Sequence, residues 1–99
     1  MRIISRRTLK EFWEKPDYQD SESHLKSWIA EARSAVWKNP PEVKQQYANG
    51  SIIHKSRFVF NIAGNKYRLV VKIHYNRGVI YIRFIGTHAQ YNLIDVENI

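Results

Sequence analysis

The chain has 99 residues, 43% hydrophobic, 13% aromatic and 25% charged. That composition suits one globular domain, 1–99, with a single modest core, and it excludes a disordered tail, a membrane protein and the large multidomain enzymes. Sixteen Lys and Arg against nine Asp and Glu give a net charge of +7, which points to a polyanionic or acidic partner. The excess is uneven: residues 1–50 carry +2, residues 51–99 carry +5, and no Asp or Glu occurs from Val43 to Ile94. The absence of cysteine removes disulfides, thiolate nucleophiles and Cys-ligated metals. His24, His54, His74 and His88 lack metal-ligand spacing, so no metal or other cofactor is expected. With no apolar signal region and no window near the ~18 apolar residues of a span, a cytoplasmic location without a membrane partner is expected.

In chain order, Met1–Ile4 reads as an edge strand. Ser5 caps a helix over Arg6–Glu14 that the Lys15-Pro16 step ends, with Leu9, Phe12 and Trp13 on one face. After a polar turn at Asp17–Ser21, Leu25, Trp28, Ile29, Ala32 and Val36 follow the spacing of an amphipathic helix. Asn39-Pro40-Pro41 stops it and caps a third helix from Pro41 to Tyr47, which Ala48-Asn49-Gly50 breaks. Trp13, Trp28 and Trp37 read as helix packing rather than as platforms for stacked bases.

Beyond Ser51 the period changes to two, and three strands of an antiparallel meander are expected around residues 57–62, 66–75 and 79–85. A two-residue Gly64-Asn65 loop sets Phe60 beside Leu69 and Phe58 beside Val71 on a core face. A second two-residue loop at Arg77-Gly78 sets Val71 beside Phe84 and Ile73 beside Ile82 on that same face. The opposite face then carries Arg57, Lys72 and Arg83 in one row, with Asn61 beside Arg68 and His74 beside Tyr81. Like charges directly opposite cost roughly 0.2–1 kcal/mol per pair, and no carboxylate offsets them. Such a row serves a phosphate backbone better than it serves a fold.

A face without carboxylates is poorly suited to metal-assisted hydrolysis. Attack by an RNA 2′-OH on its own 3′ phosphate needs only a proton acceptor, a proton donor and cations to stabilise the transition state. His88 and Tyr91, three residues apart in Gly86-Thr87-His88-Ala89-Gln90-Tyr91, are neighbours if that segment makes a helical turn. Taken singly, His74 reads equally as an exposed ring, His88 as a strand cap and Tyr91 as a core ring. The acids gathered in residues 11–42 make the helical half a protein-contact surface rather than an RNA surface.

The runs Arg57-Phe58-Val59-Phe60-Asn61-Ile62, Gly64-Asn65-Lys66-Tyr67-Arg68-Leu69-Val70, Tyr81-Ile82-Arg83-Phe84 and Gly86-Thr87-His88-Ala89-Gln90-Tyr91 closely resemble the HigB toxin family of type II toxin–antitoxin systems. Arg7-Thr8-Leu9-Lys10-Glu11-Phe12-Trp13, the Trp28 helix and Trp37-Lys38 extend the resemblance over nearly the whole chain. It implies an α+β, RelE/ParE-like fold, with two to three N-terminal helices on a three-stranded meander plus an N-terminal edge strand. It further implies a ribosome-dependent mRNA endonuclease, acting on mRNA on the ribosome and neutralised by a HigA-type helix-turn-helix antitoxin in a hetero-oligomeric complex. Arg68, Arg83, His88 and Tyr91 match the family motif and are the implied catalytic residues, while Arg57, Lys66, Lys72 and His74 are assigned to the flanking RNA backbone. The family ending often has Asp after the Tyr; here it is Asn92, so if that Asp orients a catalytic group its role is either lost in this chain or shifted to Asp95. A ParE-like gyrase poison and a non-enzymatic nucleic-acid-binding module are the competing readings.

Overall fold

A computed structural model describes residues 1–99. The elements run β1 (Arg2–Ile4), α1 (Arg6–Trp13), a 3-10 turn (Pro16–Ser21), α2 (Glu22–Ser34), α3 (Pro40–Gln46), β2 (Ser51–Ile53), β3 (Arg57–Ile62), β4 (Tyr67–His74), a 3-10 turn (Tyr75–Arg77), β5 (Val79–Thr87) and α4 (His88–Tyr91). The five strands form one mixed sheet in the order β1-β5-β4-β3-β2, with β1 parallel to β5 and the other pairs antiparallel. The expected α+β class holds. The sheet has one strand more than expected, because Ser51–Ile53 folds back onto Arg57–Val59 as β2.

Local sequence explains the helices. Ser5 accepts the Arg7 N–H at 3.2 Å, and Asn39 accepts the Glu42 N–H at 3.0 Å, so α1 and α3 begin on side-chain caps. The turn at Pro16 separates α1 from α2, and Pro40 starts α3 where a missing N–H costs nothing. α2 stops at Ser34, two residues short of Val36, which is 76% exposed rather than on the apolar stripe.

One face of the sheet carries the core. Phe58, Phe60, Ile62, Tyr67, Leu69, Val71, Ile73, Ile80 and Ile82 meet Leu9, Phe12, Leu25, Trp28, Ala32 and Val43 from the helices. Burying each such large side chain contributes about 1.5–3 kcal/mol. Trp28 and Trp37 are buried there, whereas Trp13 sits at the rim under Lys26. The β3–β4 pairing is the expected one, with Phe58 opposite Val71 and Phe60 opposite Leu69, and Gly64 takes the left-handed φ of +70° that the hairpin needs.

The β4–β5 pairing differs from the expectation. Tyr75–Arg77 forms a 3-10 turn closed by Gly78 at φ +64°, so the loop has four residues instead of two. Ile73 therefore faces Ile80 rather than Ile82, Val71 faces Ile82 rather than Phe84, and Lys72 faces Tyr81 rather than Arg83. A β-bulge between the Val71–Ile82 and Val70–Phe84 pairs leaves Arg83 without a partner and brings Phe84 onto the outer face opposite Val70.

Candidate active site

The face of the sheet away from the helices is built from alternate residues of each strand. Across it run Arg57, Lys72 and Tyr81; then Val59, Val70 and Phe84; then Asn61, Arg68 and Gly86. Arg83 projects from the bulge, exposed, with its guanidinium 5.3 Å from the Tyr81 ring centre. The expected row of three directly opposed cations is thus broken: Tyr81 stands where Arg83 was placed. The ring removes one directly opposed like-charge pair and offers Arg83 a π face.

The end of β5 organises the chemistry. Thr87 caps α4 by accepting the Gln90 N–H at 3.1 Å, and Gln90 Oε1 accepts the Thr87 N–H at 2.9 Å. This reciprocal pair holds a single helical turn on which His88 and Tyr91 are neighbours, ring centres 6.5 Å apart. The Arg68 guanidinium lies 5.0 Å from the Tyr91 ring centre, and its Nη2 donates to Asn65 Oδ1 at 3.1 Å. Its Nε is buried and has no hydrogen-bond partner. The guanidinium is a permanent cation whose planar N–H fork suits a phosphoryl group.

Of the sequence-selected residues, the structure brings Arg68, His88 and Tyr91 together. Arg83 stands three residues before Gly86, the partner of Arg68, so about 10 Å up the strand. Lys72 and His74 lie towards the other end of β4, and the His74 and Tyr81 rings meet edge to face at 5.1 Å. The remaining two cations are engaged elsewhere. Arg57 is only 8% exposed; its Nε donates to the Ile99 main-chain oxygen at 2.9 Å, Nη2 donates to that same oxygen, and Nη1 donates to Lys55 O at 3.1 Å. Lys66 turns towards the helical layer and pairs with Asp20, which also accepts the Tyr67 hydroxyl at 2.5 Å. Hydrogen bonding from Lys66, then from Tyr67, holds the Asp20 carboxyl below the usual range, and Asp20 raises Lys66 in turn.

Residues beyond α4 cross the outer face. Tyr91 lies at Arg68, whereas Ile99 lies at Arg57 and Asn98 accepts from Lys55 Nζ at 3.0 Å. The path between these points passes over Val70 and Val59, which are at most 1% exposed yet outside the main core. The segment therefore covers the apolar middle of the face and leaves Arg68 and Arg83 at its margin.

Three supporting residues escaped the sequence reading. Asn92 Nδ2 lies 3.3 Å from His88 Nδ1 and orients the ring. Asp95, the alternative position for the family carboxylate's role, instead accepts from Asn98 at 2.6 Å. Gln90 was legible as the partner in a Thr-x-x-Gln capping box, but Asn65 and Asn92 carry no such signature. No group of His, Asp or Glu side chains is arranged to hold a metal ion, and no helix is long and apolar enough to cross a membrane.

A small α+β chain with a basic sheet face ending in a capped His–Tyr turn has the architecture of a RelE-like toxin. Residues 21–94 match the family model described as HigB toxin, RelE-like toxic component of a toxin–antitoxin system. The chain belongs to that family, and a toxin of this kind has an antitoxin as its partner. A comparison with curated proteins gives no match.

Proposed function

We propose that the chain is a metal-independent endoribonuclease that cuts mRNA on the ribosome and is neutralised by a HigA-type antitoxin. The observation that carries this reading is the grouping of the Arg68 guanidinium with the Tyr91 and His88 rings, on strands that carry no carboxylate. Arg68 and Arg83 stabilise the charge on the scissile phosphate as the 2′ oxygen attacks. His88 and Tyr91 divide the two proton transfers, one taking the 2′-OH proton and the other protonating the leaving 5′ oxygen. Asn92 holds the His88 ring in place. Lys72 and His74 bind flanking phosphates, while Arg57 and Lys66, committed to Ile99 and Asp20, contribute field rather than direct contact.

The test is mapping of 5′ ends of mRNA in a translating extract with the unaltered chain and with His88→Ala and Arg83→Ala. In-frame cuts that each variant lowers by about 10²-fold or more support the reading. Full cleavage by both variants overturns the assignment. Gyrase-linked DNA breaks without any RNA product overturn the ribonuclease itself.

A further inference from the structure

At the far end of the sheet from Arg68, a cleft of about 490 Å³ opens between the loop before α3 and the turn that joins β4 to β5. Its basic lining is Lys38, Lys72, His74 and Arg77, with Asn39 and Ser56 beside them. No carboxylate lines it, and none of the chain's ion pairs, Arg7–Glu11, Lys26–Glu22 and Lys66–Asp20, involves these side chains. Two segments, at Lys38 and along Lys72–Arg77, thus hold cations together; the Glu42 carboxylate beside them accepts the Lys38 N–H at 3.0 Å and Asn39 Nδ2 at 3.4 Å, which leaves a net positive cleft that an anion stabilises. The large exposed apolar side chains, Val36, Ile52 and Leu93, are all outside the lining. The apolar and aromatic part of the lining is Pro40, the buried Ile73 and the half-buried Tyr75, fewer than its polar and basic side chains, which favours a polyanion over a protein partner.

We propose that this cleft is a second RNA site, which binds the backbone phosphates of the strand being cut at a distance from the scissile bond. The proposal rests on the ribonuclease reading above for the identity of that strand. Arg68 and His74 are six residues apart on β4, which separates them by about 20 Å. At roughly 3.4 Å per stacked nucleotide, that distance is about six nucleotides, fewer if the strand is extended. The surface between is continuous in chemistry. Arg83 stands exposed over Tyr81, and Tyr81 meets His74, so a cation and two rings bridge the sites beside the covered valines. Lys38 and Arg77 would then set a minimum substrate length without touching the reacting phosphate.

The experiment measures binding of fluorescent 2′-O-methyl oligouridylates of twelve and four nucleotides across a salt series. These probes have no 2′-OH to attack, so they stay intact. The variants are Lys38→Gln with Arg77→Gln, and the charge-preserving Lys38→Arg with Arg77→Lys; both positions are exposed, so the fold tolerates them. For the twelve-mer, loss of two phosphate contacts should reduce the slope of log K against log salt by about 1.4 and weaken binding on the order of tenfold at 0.1 M salt. The four-mer should lose less than twofold, and the charge-preserving pair should restore the slope. An unchanged slope, equal losses for both lengths, or no twelve-mer binding by the unaltered chain overturns the second site. So does loss of antitoxin binding with RNA binding intact, which would make the cleft a protein-docking surface. RNA cleavage with an unchanged slope overturns this proposal alone, whereas a reduced slope without RNA cleavage overturns the ribonuclease reading alone.

Discussion

Gly86 offers the most direct test of how the site is held. It pairs with Arg68 and immediately precedes the Thr87 cap. A Cβ at this position would come within 2.6 Å of Gln90 Oε1 and 2.6 Å of Phe84 Cζ. The Gln90 amide is the end of a flexible side chain and yields first, but its movement breaks the 2.9 Å bond from the Thr87 N–H. Loss of such a cap costs about 1 kcal/mol. α4 has only four residues and no buried side chain, so little else restrains it. That cost corresponds to roughly a fivefold fall in the ratio of formed to unformed turn. With the turn mostly formed in the unaltered chain, Gly86→Ala should therefore speed hydrogen exchange at the Gln90 amide about fivefold and slow single-turnover RNA cleavage by less than that. The main core is untouched, and the melting temperature should stay within a few degrees. Unchanged cleavage and exchange would refute the reasoning. So would a loss as large as that of His88→Ala, because a populated fraction of the turn would then no longer account for activity.

Other outcomes follow from the same geometry. Asn92→Ala removes the amide now 3.3 Å from His88 Nδ1 and should slow RNA cleavage by roughly two- to tenfold, the worth of one hydrogen bond, with the melting temperature little changed; unchanged cleavage would contradict the orienting contact. Asp20 has its folded pKa lowered by Lys66 and Tyr67, so its contribution to stability is present above the unfolded value near 3.9 and is lost as pH falls below it. Asp20→Asn should flatten the acid side of a plot of denaturation midpoint against pH; a curve parallel to that of the unaltered chain would exclude the pairing. Leu69→Ala empties a fully buried position at the centre of the sheet and should cost about 2–5 kcal/mol in urea unfolding, whereas a loss below 1 kcal/mol would place Leu69 outside the core.

The parts of the fold set by local rules were legible. Ser5 and Asn39 cap helices because their side chains reach an N–H two or three residues on, and the Phe58–Val71 register followed from period-two alternation meeting a Gly-Asn turn. The parts set by longer-range geometry were not. Tyr75-Asn76-Arg77-Gly78 suits a two-residue and a four-residue loop equally well, and only the closed 3-10 turn decides between them. A bulge at Arg83 leaves no trace in a run of alternating residues. Arg57 points outward as alternation requires, yet it is buried, because an unpatterned segment ending at Ile99 returns over it. Lys66 finds Asp20 from 46 residues away, a pairing no local window contains. For the site, the His88–Tyr91 pairing was visible in spacing, Arg68 came with the family resemblance, and Gln90 carried the capping-box pattern, but the Asn92 support depended on the turn being formed.

The extra residue at Arg83 also makes the length of β5 a determinant in its own right. Below the bulge Ile80 and Ile82 face the core, and above it Ile85 does, so the strand changes parity midway. Deleting Arg83 itself would remove the bulge and leave Phe84 opposite Val70 and Thr87 opposite Tyr67, on the sides they occupy now. Deleting one residue beyond it, at Ile85, would with the bulge kept send Thr87 and the turn behind it to the other side of the sheet. The position of the chemistry depends on the count of residues between the bulge and the Thr87 cap as much as on their identity.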